Sequence, residues 1–173
     1  MIKMITYIDL KILNIIQNNL RCRFLDRVLP KISMLGNFGT VWIMSAVLFM
    51  LGNKYELTGK RIIYTLALSA VLCNMILKHL FPRPRPFLAD KSKKLLVKPP
   101  NDFSFPSGHT ASSVASVIIL WNTSHLFGIP AAILGFLILF SRMYLFLHYP
   151  SDILGGIALG IAVSYFILRV IPG

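Results

Sequence analysis

The chain has 173 residues, of which 55% are hydrophobic and 14% charged, and its 18 Lys and Arg against 6 Asp and Glu give a net charge of +12. This composition is far outside the range of soluble domains and excludes one. We therefore expect a multi-pass membrane protein with a single domain over residues 1–173. The predicted fold class is all-α, a polytopic membrane bundle of five to six transmembrane helices with a possible interfacial amphipathic helix at the N-terminus.

The N-terminal segment, residues 1–31, differs from the rest of the chain. Its apolar residues recur at helical spacing from Ile5 to Ile16, whereas Lys3 and Asp9 occupy other faces. This pattern favours an amphipathic helix that lies in the membrane interface, and a sixth, poorer span is the alternative. A cleavable signal peptide is not expected, because no uninterrupted apolar core precedes a small-residue cleavage site.

Residues 32–173 contain the apolar runs that build the predicted bundle. A spanning helix needs about 20 apolar residues, since it rises about 1.5 Å per residue through a hydrocarbon core about 30 Å thick. In chain order the runs are 39–52 with an extension back to Ile32, then 62–81, 107–124, 128–147 and 153–172. Gly156 and Gly160, one helical turn apart, predict close packing of the last helix against a neighbour.

The segment from Lys78, near the end of the second run, to Phe105 is strongly basic. Its two acidic residues, Asp90 and Asp102, face seven cations, which are Lys78, Arg83, Arg85, Lys91, Lys93, Lys94 and Lys98. For the four lysines between 91 and 98 we favour attraction to anionic lipid headgroups. Nucleic acid is not an expected partner, because the segment lacks aromatic residues interleaved for stacking on bases.

Antiparallel folding of the runs brings three polar clusters to one membrane face, in loops 78–109 and 141–152. The clusters are Lys78 with Arg85, then Ser107, Gly108 and His109, then Arg142, His148 and Asp152. Lys78 and Arg142 lie near the ends of apolar spans, where a cation needs a partner, and only Asp152 is assigned to neutralise them. The surplus positive charge predicts an anionic ligand, and ammonium and guanidinium groups suit the oxygens of a phosphate.

The stretch from Pro106 to His109 suits the same ligand. Proline is favoured in the first turn of a helix, so we predict that a helix begins here. The backbone N–H groups of Ser107, Gly108 and His109 would then point at the phosphate with the helix dipole behind them.

The two histidines of these clusters are expected to have different roles. Asp152 follows His148 by four residues, and a carboxylate on one imidazole nitrogen leaves the other free to attack phosphorus, so His148 is the predicted nucleophile. His109 has no evident carboxylate of its own and is assigned to protonate the leaving group and then activate water.

Three motifs in order carry a family resemblance: Lys78-x6-Arg85-Pro86, Pro106-Ser107-Gly108-His109 and Ser141-Arg142-x5-His148-x3-Asp152. They resemble the signature of the type-2 phosphatidic acid phosphatase family of membrane lipid phosphatases, and residues 1–37 carry none of it. The resemblance implies a helical bundle and hydrolysis through a phosphohistidine, without a metal ion or cofactor. It assigns catalysis to His148, His109 and Asp152, and phosphate binding to Lys78, Arg85, Ser107, Gly108 and Arg142.

Substrate and orientation are less constrained by the residues. The resemblance implies undecaprenyl diphosphate, phosphatidylglycerophosphate, phosphatidic acid or diacylglycerol diphosphate as the substrate. The small size is similar to that of bacterial enzymes that recycle the cell-wall lipid carrier or make phosphatidylglycerol, and of these substrates we favour undecaprenyl diphosphate. Phosphoryl or headgroup transfer and non-enzymatic binding or transport of a lipid phosphate are the alternatives. A positive-inside count places the basic segment in the cytoplasm. Bacterial relatives generally face outward, and discounting the phosphate-binding cations favours a site on the extracytoplasmic face of the cell membrane.

Overall fold

The computed structural model describes the backbone of residues 2–172 and the side chains of residues 4–172. Within that range the chain is helical and contains no strand, which confirms the all-α prediction. The helices are α1 (Ile2–Asn19), α2 (Arg23–Leu35), α3 (Thr40–Leu51), α4 (Glu56–Ala70), α5 (Lys78–Leu80), α6 (Pro86–Ala89), α7 (Gly108–Thr123), α8 (His125–Tyr144) and α9 (Pro150–Val170).

Among the described residues, three helical stretches are long and apolar enough to cross a membrane: Asn53–Leu80, α8 and α9. The first joins α4 to α5 through a π-helical segment, Val71–Leu77. A fourth span arises if α2 and Asn37–Leu51, whose axes differ by 52°, are taken together. Helix α7 has 16 residues, fewer than the roughly 20 of a complete span. The number of five to six spans therefore stays a prediction.

The run expected from Ile32 to residue 52 is broken in the structure. Phe38 and Gly39 have φ angles of 52° and 70°, in the left-handed region where a right-handed helix does not continue. Gly36, just before the break, lies against His109, since a Cβ atom there would come within 2.8 Å of the imidazole Cδ2. The bend therefore places the α2–α3 connection beside a predicted site residue.

Helix α7 lies at the centre of the bundle and packs against α4, α8 and α9. The contact with α9 is close because its glycines face the backbone of α7. A Cβ atom at Gly156 would lie 2.7 Å from the carbonyl oxygen of Ser107, and one at Gly160 would lie 2.7 Å from that of Ala111. These distances confirm the predicted small-residue packing of the last helix.

The N-terminal helix α1 is amphipathic, as predicted, and one of its faces is buried. Leu13 packs against Phe146 and Tyr149, and Ile16 packs against Tyr144 and the residues next to it. The exposed apolar side chains of the helix are Met4, Ile5, Tyr7, Ile8, Ile12 and Ile15. Helix α1 thus lies across the loop that joins α8 to α9.

The helix ends explain how distant motifs meet. Only Ser124 separates α7 from α8, so the two helices are antiparallel, and α9 follows α8 after a loop of five residues, 145–149. The end of α5, the start of α7, the end of α8 and the start of α9 therefore lie at the same end of the bundle.

Candidate active site

A cavity of about 1250 Å³ opens at this end of the bundle. Six of the eight predicted site residues line it, which are Lys78, Arg85, Gly108, His109, Arg142 and His148. The other two, Ser107 and Asp152, are fully buried behind its wall. The structure therefore brings the three sequence clusters together around one space.

His148 is held at both ring nitrogens. Its Nδ1 lies 2.8 Å from the backbone carbonyl oxygen of Ser104, and its Nε2 lies 3.1 Å from Nη1 of Arg85. A carbonyl oxygen only accepts a hydrogen bond and a guanidinium only donates one, so the neutral ring carries its proton on Nδ1 and a lone pair on Nε2. This is the tautomer that a nucleophilic Nε2 requires.

Asp152 supports His148 differently from the direct contact that the sequence suggested. Its Oδ2 lies 3.6 Å from Nδ1 of His148, which is too far for a good hydrogen bond. That oxygen instead accepts from the hydroxyl of Ser104 and, at 2.8 Å, from the N–H of Tyr149. Ser104 therefore connects Asp152 to His148. No motif or spacing distinguishes this serine from its neighbours, so it was not predicted from the sequence.

The environment of His148 favours the neutral ring. The side chain is almost fully buried in the loop between α8 and α9. Burial lowers the pKa of His148 from its ordinary 6.5 to about 3, and the charges of Arg85 and Arg142 act in the same direction. Nε2 consequently carries no proton throughout the neutral and mildly acidic range, and its lone pair accepts the hydrogen bond from Arg85.

His109 is positioned by the bend between α2 and α3. Its Nε2 lies 3.0 Å from Oδ1 of Asn37, which also lines the cavity. Asn37 belongs to the part of the chain without resemblance to the family motifs, so it was not predicted as a site residue.

The expectation that only Asp152 neutralises the cations is wrong, because Asp102 forms ion pairs with two of them. Its carboxylate accepts from Lys78 Nζ at 2.5 Å and from Arg85 Nη2 at 2.6 Å. Burial opposes ionisation, but the hydrogen bonds and charges of Lys78 and Arg85 lower the pKa of Asp102 to about 2. Asn74, one turn before Lys78, accepts a further hydrogen bond from its Nζ at 2.8 Å. These contacts bring the two cations together at the cavity wall.

Arg142 has a donor with no partner. Its Nη1 donates to Ser33 Oγ at 2.5 Å, but its Nε is buried and makes no hydrogen bond to any residue that the structure describes. Such buried donors are rare because they lose hydration without compensation. An unpaired guanidinium N–H in the cavity wall suits an anionic ligand.

The Pro106–His109 stretch begins a helix as predicted, with Ser107 as the N-cap of α7. One expected donor is already used, since the N–H of Ser107 donates to the carbonyl oxygen of Asp152 at 3.1 Å. The N–H groups of Gly108 and His109 lie in the first helical turn, where no carbonyl of the same helix can accept from them. Two of the three predicted amides therefore suit an anion.

A family model described as the PAP2 superfamily matches residues 59–173. The chain belongs to this superfamily. The match includes all eight predicted site residues, and it confirms the family that the three motifs indicated. Together with the apolar helices, membership of the PAP2 superfamily makes the chain an integral membrane protein.

Individual PAP2 proteins support this placement. An undecaprenyl-diphosphatase of Bacillus subtilis, BcrC, is 29% identical over 70% of this chain and 63% of its own length. Phosphatidylglycerophosphatase B of the same organism is 33% identical over 56% of this chain and 50% of its own length. The chain thus spans less than two thirds of these curated relatives. The crystal structure of Aquifex aeolicus LpxE superposes with a TM-score of 0.80 at 27% identity, covering 92% of this chain and 94% of that one.

Proposed function

We propose that the chain hydrolyses a lipid phosphate or diphosphate through a phosphohistidine on His148. The observation that carries this proposal is the pairing of a nucleophile with an anion site in one cavity. The Nε2 lone pair of His148 lies in the same cavity wall as Arg142, whose buried Nε has no partner among the described residues. Lys78 and Arg85 add positive charge there, against the single negative charge of Asp102.

In the first step Nε2 of His148 forms a bond to phosphorus while the bond from phosphorus to the leaving oxygen breaks. Lys78, Arg85, Arg142 and the N–H groups of Gly108 and His109 stabilise the negative charge on the phosphoryl oxygens. The Nδ1 proton stays on His148, where the Ser104 carbonyl and the nearby Asp152 carboxylate offset the charge that the ring gains.

His109 supplies and recovers the proton. When protonated it has an N–H on both ring nitrogens, so Asn37 holds one of them and Nδ1–H is left to protonate the leaving oxygen. The neutral ring then takes a proton from water, which attacks phosphorus and breaks the bond to His148 Nε2. Inorganic phosphate leaves, and both histidines return to their starting states.

Undecaprenyl diphosphate is the favoured substrate, followed by phosphatidylglycerophosphate and phosphatidic acid. The first choice is supported by BcrC, named as an undecaprenyl-diphosphatase, and the second by phosphatidylglycerophosphatase B. The cavity also has apolar walls beside its cations, with Met34, Leu66 and Val97 among its lining residues. Such a wall suits a phosphate whose lipid tail stays in the bilayer.

Orientation and lipid contacts complete the proposal. We place the cavity on the extracytoplasmic face of the cell membrane. The positive-inside count opposes this placement, but it includes the cations assigned to bind phosphate, and we discount these as topological signals. The four lysines between 91 and 98 then contact anionic lipid headgroups, each contributing about 1 kcal/mol near the surface. Residues 1–31 form the N-terminal segment of the same domain, and residues 32–173 its bundle.

The test is phosphate release by the purified full-length chain in detergent with EDTA, from undecaprenyl diphosphate, phosphatidylglycerophosphate and phosphatidic acid. We expect release that survives EDTA, with the highest kcat/KM for the diphosphate, and none from His148→Ala. His125→Ala is the matched control, because His125 lies at the opposite end of α8, where its ring packs at a tilt against that of Trp121. Absence of release from every lipid contradicts the proposal, and a phosphorylated alcohol formed on adding glycerol indicates transfer.

A further inference from the structure

Helix α1 carries a buried carboxylate that the proposed chemistry does not use. Asp9 is only 3% exposed, and it lies on the same helix face as Leu13 and Ile16. A buried charge in such a place needs a specific partner. Helix α1 precedes the part of the chain that the PAP2 model matches, which begins at residue 59.

The partners of Asp9 come from the catalytic end of the bundle. Its Oδ1 accepts from the backbone N–H of Ser151 at 3.1 Å, and its Oδ2 accepts from the Ser151 hydroxyl at 2.5 Å. The same Oδ2 accepts from Nη2 of Arg83 at 2.7 Å. Asp9 therefore holds the first turn of α9, which contains Asp152, and an arginine from the loop after α5.

Arg83 extends this network to Asp152. Its Nη1 donates to Oδ1 of Asp152 at 2.8 Å and to the Ser151 hydroxyl at 2.6 Å, and its guanidinium lies 3.9 Å from the centre of the Tyr149 ring. One guanidinium thus bridges two carboxylates, Asp9 and Asp152. The planar guanidinium can bridge two carboxylates because its N–H groups lie on separate nitrogens, whereas the positive charge of a lysine is concentrated on one ammonium group.

The network continues to the nucleophile. Asp152 accepts from the hydroxyl of Ser104, and the carbonyl oxygen of Ser104 accepts from Nδ1 of His148. The order of contacts is Asp9, Arg83, Asp152, Ser104 and His148. Among the described residues that line the cavity, the first in chain order is Pro30, so α1 contributes none.

We propose that Asp9 is a positioning residue for His148, so that α1 contributes to catalysis although none of its described side chains lines the substrate cavity. The inference rests on the proposed function of His148 as nucleophile. Asp9 shares the charge of Arg83 with Asp152 and fixes the first turn of α9. In its absence Arg83 pairs with Asp152 alone, and the carboxylate is drawn away from Ser104 and the imidazole.

The direct test is Asp9→Asn in the full-length chain, measured with the lipid phosphate that the wild type hydrolyses best. Because α1 does not line the cavity, we expect kcat to fall about tenfold while KM stays within about twofold. Asp9→Glu should recover part of kcat. Lys11→Gln is the control, since Lys11 is exposed on the same helix and should leave both constants unchanged. An unchanged kcat in a folded Asp9→Asn protein overturns the inference.

A double-mutant cycle separates positioning from general stabilisation. If Asp9 acts through Arg83, Asp9→Asn has little further effect on kcat in an Arg83→Met background, so the two losses do not add. Additive losses overturn the inference. If Asp9→Asn does not fold, Arg83→Lys decides, because it keeps the charge but removes the bridge. A lower kcat with unchanged KM supports the inference, and an unchanged kcat contradicts it.

Vanadate binding provides a readout that does not depend on turnover. Vanadate takes the five-coordinate geometry of phosphoryl transfer when a nucleophile is aligned with it, whereas inorganic phosphate does not. We expect Asp9→Asn to weaken vanadate binding about tenfold and phosphate binding less than twofold. Equal effects on both anions overturn the inference. A wild type that binds vanadate but releases phosphate from no lipid contradicts only the proposed hydrolysis.

Discussion

At the scale of single residues, Ser104 shows what the sequence did not reveal. The PAP2 motifs contain the proposed nucleophile, His148, and its carboxylate, Asp152, but the residue that contacts both is a serine outside them. Its contribution depends on the path of the loop before α7, which carries the Ser104 carbonyl to His148. Chemistry-bearing residue types were therefore predictable, whereas the backbone groups that orient them were not.

Ser104→Ala separates the two contacts of Ser104. The backbone carbonyl remains, so His148 keeps its tautomer, but Asp152 loses the hydroxyl donor. A hydrogen bond to a charged group contributes about 1.5 to 3 kcal/mol, so we expect kcat to fall about tenfold or more, with KM little changed. Ser45→Ala is the control, because the Ser45 hydroxyl donates to the carbonyl oxygen of Trp42 in its own helix and makes no other hydrogen bond within the described residues. An unchanged kcat in Ser104→Ala contradicts this role.

The depressed pKa of His148 predicts how stability varies with pH. The folded protein keeps the imidazole neutral down to about pH 3, whereas the unfolded chain protonates it below its ordinary 6.5. The unfolded state therefore binds more protons in this range, and stability falls as the pH is lowered through it. Asp102 adds a loss only below its ordinary pKa of 3.8.

Thermal unfolding in detergent between about pH 7 and pH 4 checks this prediction. The wild-type Tm should fall as the pH is lowered, and the fall should be smaller in His148→Gln, which has no titrating ring at this position. His125→Gln removes an exposed imidazole and should follow the wild-type curve. Identical pH dependence in the wild type and His148→Gln would contradict the assignment.

At the scale of helices, the apolar runs predicted the positions of the helices well, but they did not predict the break between α2 and α3. The run 107–124 corresponds to α7, and 128–147 and 153–172 correspond to α8 and α9 with ends shifted by about three residues. The length of each apolar run determines the approximate length and position of the corresponding helix. The break at Phe38 and Gly39 lies in the stretch Gly36-Asn37-Phe38-Gly39, whose glycines and asparagine favour a turn, but hydrophobic length alone extends the run through it.

Gly36→Ala tests the packing of the α2–α3 bend against α7 and α8. The added methyl group would lie 2.8 Å from Cδ2 of His109 and 3.0 Å from Cγ2 of Ile138, so either the imidazole or the bend must move. We expect a cost of about 1 to 3 kcal/mol in stability and a lower kcat from displacement of His109. Gly52→Ala is the matched control, since its methyl group would meet only the carbonyl oxygen of Phe49 at 3.9 Å. Equal behaviour of the two variants in Tm and kcat contradicts the close contact.

At the scale of the whole molecule, convergence of the motifs at one end was predictable and their charge balance was not. Antiparallel spans were enough to bring Lys78, His109 and His148 to the same face. From the sequence, Asp102 is only an opposing charge in the basic segment, because its contact with Lys78 and Arg85 depends on how that segment folds back toward them. The orientation of the bundle in the membrane is also a property of the whole molecule.

The proposed orientation is testable by cysteine labelling in intact cells. In a Cys22→Ser background, Lys91→Cys should react with a membrane-impermeant maleimide, because Lys91 is exposed beyond the cavity end of the span Asn53–Leu80. Lys54→Cys, at the opposite end of that span, should react only after permeabilisation. The reverse pattern would place the cavity in the cytoplasm.

The proposed hydrolysis depends on covalent phosphorylation of His148, and trapping the phosphohistidine is its sharpest test. Full-length protein is mixed with a lipid substrate carrying radioactive phosphate, quenched rapidly in alkali and mapped by peptide mass spectrometry. We predict an acid-labile, alkali-stable label on His148, which accumulates in His109→Ala because hydrolysis is slowed and disappears in His148→Ala. Phosphate release without a label on any residue, or a label on a different residue, would contradict the account.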